Sequence, residues 1–253
     1  MDNPPARVDL ARFYLKLDQC FGRDDLPAAR ACIVFWEGEA RRCGDDRALL
    51  SILNEAVGLY RRTRDEAAAG SAVAECLSLL DRLGLGESLS GATITVNAAT
   101  TLSSFGKTEE GLALYDRAAA AFEATGKTDT YEYAAYLNNR AGALCSLARY
   151  DEAESCWTRA VNLLDGIGRR DAEIAISLLM LAHLSHDRDP SDGNRVAELL
   201  DLAWDRLNEP DQDKGADYAF ALRKCAPSFE AFGRREEAQA LRDVADEIYR
   251  EGR

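Results

Sequence analysis

Proline is rare in this chain, and histidine and methionine are rarer still. Six prolines in 253 residues leave long stretches in which no backbone donor is missing, and alanine is frequent, so helix is favoured over strand. No apolar run approaches the roughly 18 residues of a membrane span. The start, Met1-Asp2-Asn3-Pro4-Pro5, has no basic region followed by an apolar stretch, so no secretory signal and a cytoplasmic location are expected. The seven cysteines (Cys20, Cys32, Cys43, Cys76, Cys145, Cys156, Cys225) form no C-x-x-C pair. Most sit in apolar-periodic stretches and read as small buried hydrophobes in a reducing compartment.

Excess positive charge is also lacking. Forty-four acidic residues face 31 basic ones, a formal charge of −13, which disfavours nucleic acid and makes a neutral or cationic peptide or protein the easier partner. No nucleophile motif, phosphate-cradling glycine loop or metal-ligand quartet is present, so no catalysis and no cofactor are expected. Gly84-Leu85-Gly86 reads as a turn. Glu109-Glu110 and Glu236-Glu237 read as helix starts, because adjacent carboxylates on a helix do not face each other. The two histidines, His183 and His186, share a helix face ahead of Asp187 and Asp189. Their position near a helix C-terminus complements the dipole without any metal, and no metal site is expected.

What is present is a repeat. Phe105–Ala118 (FGKTEEGLALYDRA) and Leu147–Ala160 (LARYDEAESCWTRA) lie 42 residues apart, with Gly111 matching Ala153, Tyr115 matching Trp157, and Ala118 matching Ala160. Related stretches begin at Phe21, Thr63, Pro190 and Phe232, the fifth unit slipping in register. Within each unit apolar residues recur at helical spacing; Ala153, Trp157, Ala160, Val161 and Leu164 form one stripe. Turns carry Gly22, Gly44, Gly84, Gly106, Gly126, Gly166 and Gly233. Thr108 followed by Glu109 and Glu110 reads as a helix cap with first-turn acids. Gly111, Ala153 and Ala238 supply a small residue for close helix approach, with Pro27 and Val196 as exceptions. Pro227, inside a first helix, is expected to kink it. The charged last helix, around Arg235 to Arg250, reads as a solvated cap, with Arg242 where other units carry Val73, Tyr115, Trp157 and Leu200.

A lone helix pair cannot bury its stripe, whereas stacked pairs can. The expected fold is therefore all-α: a right-handed superhelical solenoid of about six helix-turn-helix units starting near 7, 46, 88, 129, 171 and 212. On this reading they form one repeat domain over residues 1–253, with no room for a second.

The string Ala148-Arg149-Tyr150-Asp151-Glu152-Ala153, with Trp157 and Ala160 following, resembles the tetratricopeptide repeat consensus. The 42-residue period resembles the longer variant typified by kinesin light chain. Leu53-Asn54-Glu55, Ser90-Gly91-Ala92-Thr93, Tyr136-Leu137-Asn138-Asn139 and Lys224-Cys225-Ala226-Pro227-Ser228-Phe229 resemble a bacterial group of tetratricopeptide proteins with no assigned function. The resemblance implies that the first helix of each pair lines a concave groove where partners dock.

On that face the period aligns Asn54 with Asn138 and Asn97 with Asn139. A mid-helix asparagine costs propensity, and an amide offers both donor and acceptor to a peptide backbone. The same amides could instead tie neighbouring turns together. Thr93, Thr100 and Ser103 are expected on the same face, with Lys16, Arg61 and Arg62 as candidates for pairing with a partner carboxylate. The expected role is a scaffold holding a protein or peptide. The alternative is a peptide-sensing regulator with its output on a separate chain, and self-association is left open.

Overall fold

The computed structural model describes residues 7–210 and 214–251. Among them are twelve helices and no strand: α1 (Leu10–Phe21), α2 (Leu26–Cys43), α3 (Asp46–Arg62), α4 (Glu66–Arg82), α5 (Leu89–Ser104), α6 (Thr108–Ala124), α7 (Tyr131–Ser146), α8 (Tyr150–Ile167), α9 (Asp171–Arg188), α10 (Gly193–Leu207), α11 (Ala216–Ala231) and α12 (Arg235–Glu251). The expected unit start near 212 lies outside the described residues. The chain divides into two compact units, Met1–Thr128 and Asp129–Arg253. In the first, α1–α2, α3–α4 and α5–α6 pair as hairpins; in the second, α7–α8, α9–α10 and α11–α12 do so. First helices also pack on first helices: α3 on α5, and α9 on α11.

Local chemistry starts and stops these helices. The side chains of Asp9, Asp25, Asp45, Asp65, Ser88, Thr130 and Asp192 each accept a backbone N–H from the first turn that follows, which satisfies donors the helix leaves unpaired. Thr108 is not such a cap: it is buried as the first residue of α6, whose N-cap, Lys107, makes no side-chain capping bond. Inside the hairpins the chain turns through a left-handed residue. Asp24, Arg64, Gly106, Ala148 and Gly233 have φ of 54, 58, 82, 57 and 81°. The α9–α10 turn uses a different device, with Asp189 Oδ1 accepting from Ser191 N at 2.9 Å. That local difference accompanies the register slip of the fifth unit. Gly166 is helical within α8, and the left-handed glycine that ends this helix is Gly168.

The fourth helical residue of every second helix except α10 is small where two helices touch. Ala29, Ala69, Ala153 and Ala238 are fully buried. At Gly111 a methyl group would lie 2.2 Å from Ser103 Oγ and 2.9 Å from Ala99 O. In the first pair this place belongs to Ala29 rather than Pro27, which is exposed in the first turn of α2. Val196 holds the position in α10 and is buried. Tyr115, Phe122, Trp157, Leu164 and Phe229 fill the cores of their units, each worth about 1.5–3 kcal/mol on burial. Pro227 lies within α11, which runs on to Ala231.

Ion pairs join neighbouring elements on the outer surfaces: Arg30–Asp65 at 2.8 Å, Arg41–Glu75 at 2.6 Å and Arg117–Asp81 at 2.5 Å in the first unit, and Arg188–Glu154 at 2.6 Å in the second. Half-exposed pairs of this kind contribute little, about 0–1 kcal/mol each. Apolar burial dominates the packing.

Candidate partner-binding groove

In each unit the first helices leave one stripe incompletely covered. On α3 it runs through Ser51, Asn54, Gly58 and Arg61; on α5 it runs through Thr93, Asn97, Thr100 and Ser104. These spacings of three and four residues keep a stripe on one helix face. Asn97 Nδ2 donates to Asn54 Oδ1 at 2.9 Å, so the two amides join α3 to α5. The hydroxyls of Thr93, Thr100 and Ser103 each donate to the carbonyl four residues earlier in α5, at 3.1, 2.8 and 2.9 Å. Thr100 Oγ1 also lies 2.8 Å from Tyr115 Oη. Arg62 is turned away from this stripe and paired with Asp24 in the α1–α2 turn. Lys16 lies beside Cys32 of α2, whereas Tyr14 and Asp18, on the other side of α1, approach Glu55 of α3. Burial, with the like charge of Asp18, raises the Glu55 carboxyl above its ordinary value.

The second unit repeats the amide link with a different partner. Ser177 Oγ donates to Asn138 Oδ1 at 2.8 Å, joining α7 to α9, and His183 Nε2 lies 3.0 Å from Ser228 Oγ, joining α9 to α11. The His183 and His186 rings both lie against Phe232, at 4.7 and 5.6 Å between centroids. Both histidines are thereby engaged in packing. No group of three or more His, Cys, Asp or Glu suited to a metal occurs among the described residues.

Asn139 differs from the other amides. It is exposed and donates to Ala135 O at 2.9 Å in its own helix; together with Asn138 it lines a cavity of about 1100 Å³ walled by α7, α9 and α11. Three aromatic and aliphatic side chains, Tyr131, Ile176 and Phe220, face the same space. Phe220 is 60% exposed, which is unusual for so large an apolar residue in a helix whose other face is core. Burial raises the Tyr131 phenol, and the Arg170 guanidinium lies 4.3 Å from its ring centroid while donating to Glu173 at 3.4 Å. Arg206 reaches Asp171 at 2.9 Å. Lys224, also lining the cavity, has no carboxylate partner among the described residues.

Of the residues expected on the groove, the structure thus gathers Asn54, Asn97, Arg61, Thr93 and Thr100 on one unit's inner stripe, and Asn138 and Asn139 on the other's. It does not bring Lys16 or Arg62 to that stripe. Tyr131, Phe220 and Lys224 escaped sequence reasoning. Phe220 carried a readable signal: it falls out of phase with the buried stripe of α11 (Tyr218, Leu222, Cys225, Phe229).

The stacked hairpins, with first helices linked side to side, permit comparison with solved structures. The fold is tetratricopeptide-like. BtubC from P. vanneervenii matches with a TM-score of 0.55 and 19% identity over 98% of this chain and 91% of that one. A kinesin light chain from Podosopora anserina with nearly identical TPR-like repeats matches at 0.56 and 16% identity over 79% and 94%. A Rap protein solved with Competence and Sporulation Factor matches at 0.56 and 16% over 95% and 75%. No protein-family model matches the sequence, and no curated protein does. The expected all-helical repeat class therefore stands. No helix among the described residues is long and apolar enough to cross a membrane.

Proposed function

We propose that this chain is a non-catalytic binding scaffold whose tetratricopeptide-like second unit holds a protein or peptide segment between α7, α9 and α11. The observation that carries the reading is Phe220, 60% exposed on the wall of a concave cavity rather than in the core. An exposed aromatic beside Tyr131 and Ile176 suits an apolar anchor side chain of the segment. Asn139 presents an amide to its backbone, and Lys224 an ammonium to an acidic neighbour of the anchor.

Affinity capture with the wild type and with Phe220→Ala tests this. A partner held by the wild type and weakened about tenfold or more by the truncation supports the groove. A partner held equally by both moves binding elsewhere. The Rap structure solved with Competence and Sporulation Factor supports one second reading, a peptide-responsive regulator acting through a separate output chain. Native mass spectrometry separates the two: a retained short peptide marks the regulator, a stoichiometric protein the scaffold.

A further inference from the structure

The outer side of α2 differs from that of every other second helix. Opposite its buried residues Ala29, Ile33 and Ala40, α2 carries Ala31, Val34, Phe35 and Gly38, all exposed and none charged. Val34 is 54% and Phe35 60% exposed. Counted from the residue at the close helix contact, the place of Phe35 falls to Glu75, Arg117 and Arg159 in α4, α6 and α8. The place of Val34 falls to Asp201 and Asp243 in α10 and α12. Charge at these places suits a solvated face, whereas a contiguous exposed apolar stripe marks a surface to be covered. Phe35 is also held firmly. Its ring lies edge-on to Trp36 at 5.6 Å between centroids, and Trp36 lies edge-on to the buried Phe13 at 6.3 Å. A side chain already fixed loses little freedom on docking.

Charge and pattern together name the occupant. The whole chain carries −13, yet Leu10–Cys43 holds six basic and five acidic residues. The charges bordering the stripe are paired within the chain: Arg30 with Asp65, Arg41 with Glu37 and Glu75, and Arg42 with Glu39. Two copies of so acidic a chain therefore repel each other least at this face. The stripe is also self-complementary. Ala31 precedes Val34 by the same three residues by which Gly38 follows Phe35. A two-fold axis midway between Val34 and Phe35 sets Val34 against Phe35 of the second copy and Ala31 against its Gly38, large on large and small on small. Gly38 sits in mid-helix, where glycine is unfavourable, and a methyl group there would meet nothing within 4 Å. The single chain gives no reason for this glycine; close approach of a second helix does.

We propose that the outer face of α2 is a homodimer interface, α2 packing antiparallel on α2 of a second copy with Val34 and Phe35 at the centre. An interface built on one helix is small, so the dimer is weak and concentration-dependent. It stands whatever the second unit's cavity binds.

Sedimentation velocity of the full chain at rising concentration tests this. A reversible monomer–dimer equilibrium is expected, weakened about tenfold or more by Phe35→Glu and by Val34→Lys, because each buries an unpaired charge. An equimolar mixture of the two variants is expected to dimerise again, since the two-fold axis sets the new ammonium of one against the new carboxylate of the other. Both side chains face solvent in the monomer, so Tm in dilute solution is expected to stay unchanged. Should either variant melt early, Gly38→Gln takes its place: it favours the helix, fills the gap and is expected to weaken the dimer by a similar factor, about tenfold. A chain that stays monomeric throughout overturns the proposal. So does a dimer that no variant weakens, or a mixture that associates no better than its components.

Discussion

Asn97 Nδ2 donates to Asn54 Oδ1 across 2.9 Å and 43 residues of chain, turning two mid-helix amides into a link between α3 and α5. Asn138 makes the corresponding link with Ser177, at 2.8 Å and 39 residues. The separation shortens by one helical turn in the fifth unit, which keeps the bonding face the same. Asn54→Ala and Asn97→Ala are each expected to cost about 1 kcal/mol, and the double variant little more than either alone. A double-mutant cycle by urea unfolding reads this; additive losses would show that the amides act separately.

Gly111→Ala places a methyl 2.2 Å from Ser103 Oγ and 2.9 Å from a backbone oxygen, and overpacking of this kind costs about 1–3 kcal/mol. Gly70→Ala, in the next second helix toward the N-terminus, meets nothing within 4 Å. It is expected to stabilise by up to about 1 kcal/mol through helix propensity. The pair, measured by the same chemical denaturation, separates crowding from propensity.

Ala148 turns the chain at φ 57°, where Gly106 does the same work one period earlier at 82°. A left-handed alanine is strained by about 1–2 kcal/mol. Ala148→Gly is therefore expected to raise stability by about 1 kcal/mol, and Gly106→Ala to lower it by a similar amount. Calorimetric melting checks both signs.

Burial pulls the His183 imidazole below its ordinary value; Asp187 opposes the shift and His186 reinforces it. The unfolded chain then binds this proton more readily than the folded one. The contribution of His183 is complete above the unfolded value of about 6.5 and is lost as pH falls toward the lower folded value. The stability advantage of the wild type over His183→Asn should accordingly shrink below about pH 6.5. A constant difference from pH 8 to 5 would remove His183 from the acid response.

Much of this architecture was legible in the residues because the devices are local. The turn glycines Gly44, Gly84, Gly106, Gly126 and Gly233 act within a few positions, and the 42-residue spacing of Tyr115 and Trp157 reports stacking directly; the aspartate caps and the left-handed Asp24, Arg64 and Ala148 went unread. The groove was legible only in part. Periodicity brought Asn54, Asn97 and Asn138 to inner stripes, where their amides make α3–α5 and α7–α9 links; Asn138 and Asn139 both line the second unit's cavity, and of the four only Asn139 is exposed. Of the three candidates for pairing with a partner carboxylate, Lys16 lies beside Cys32, Arg62 pairs with Asp24, and Arg61 lies on the stripe of Asn54.

Helix identity, hairpin pairing and the repeat class follow from the sequence, since propensity, capping and the phase of apolar residues are properties of short stretches. Tertiary packing alone decides which amide meets which, that Phe220 stands in the cavity wall, and that Arg61 is partly buried on the stripe of Asn54. Each depends on how far one helix slides and rotates against the next. A shift of a single turn changes the partner while leaving the repeat period nearly intact.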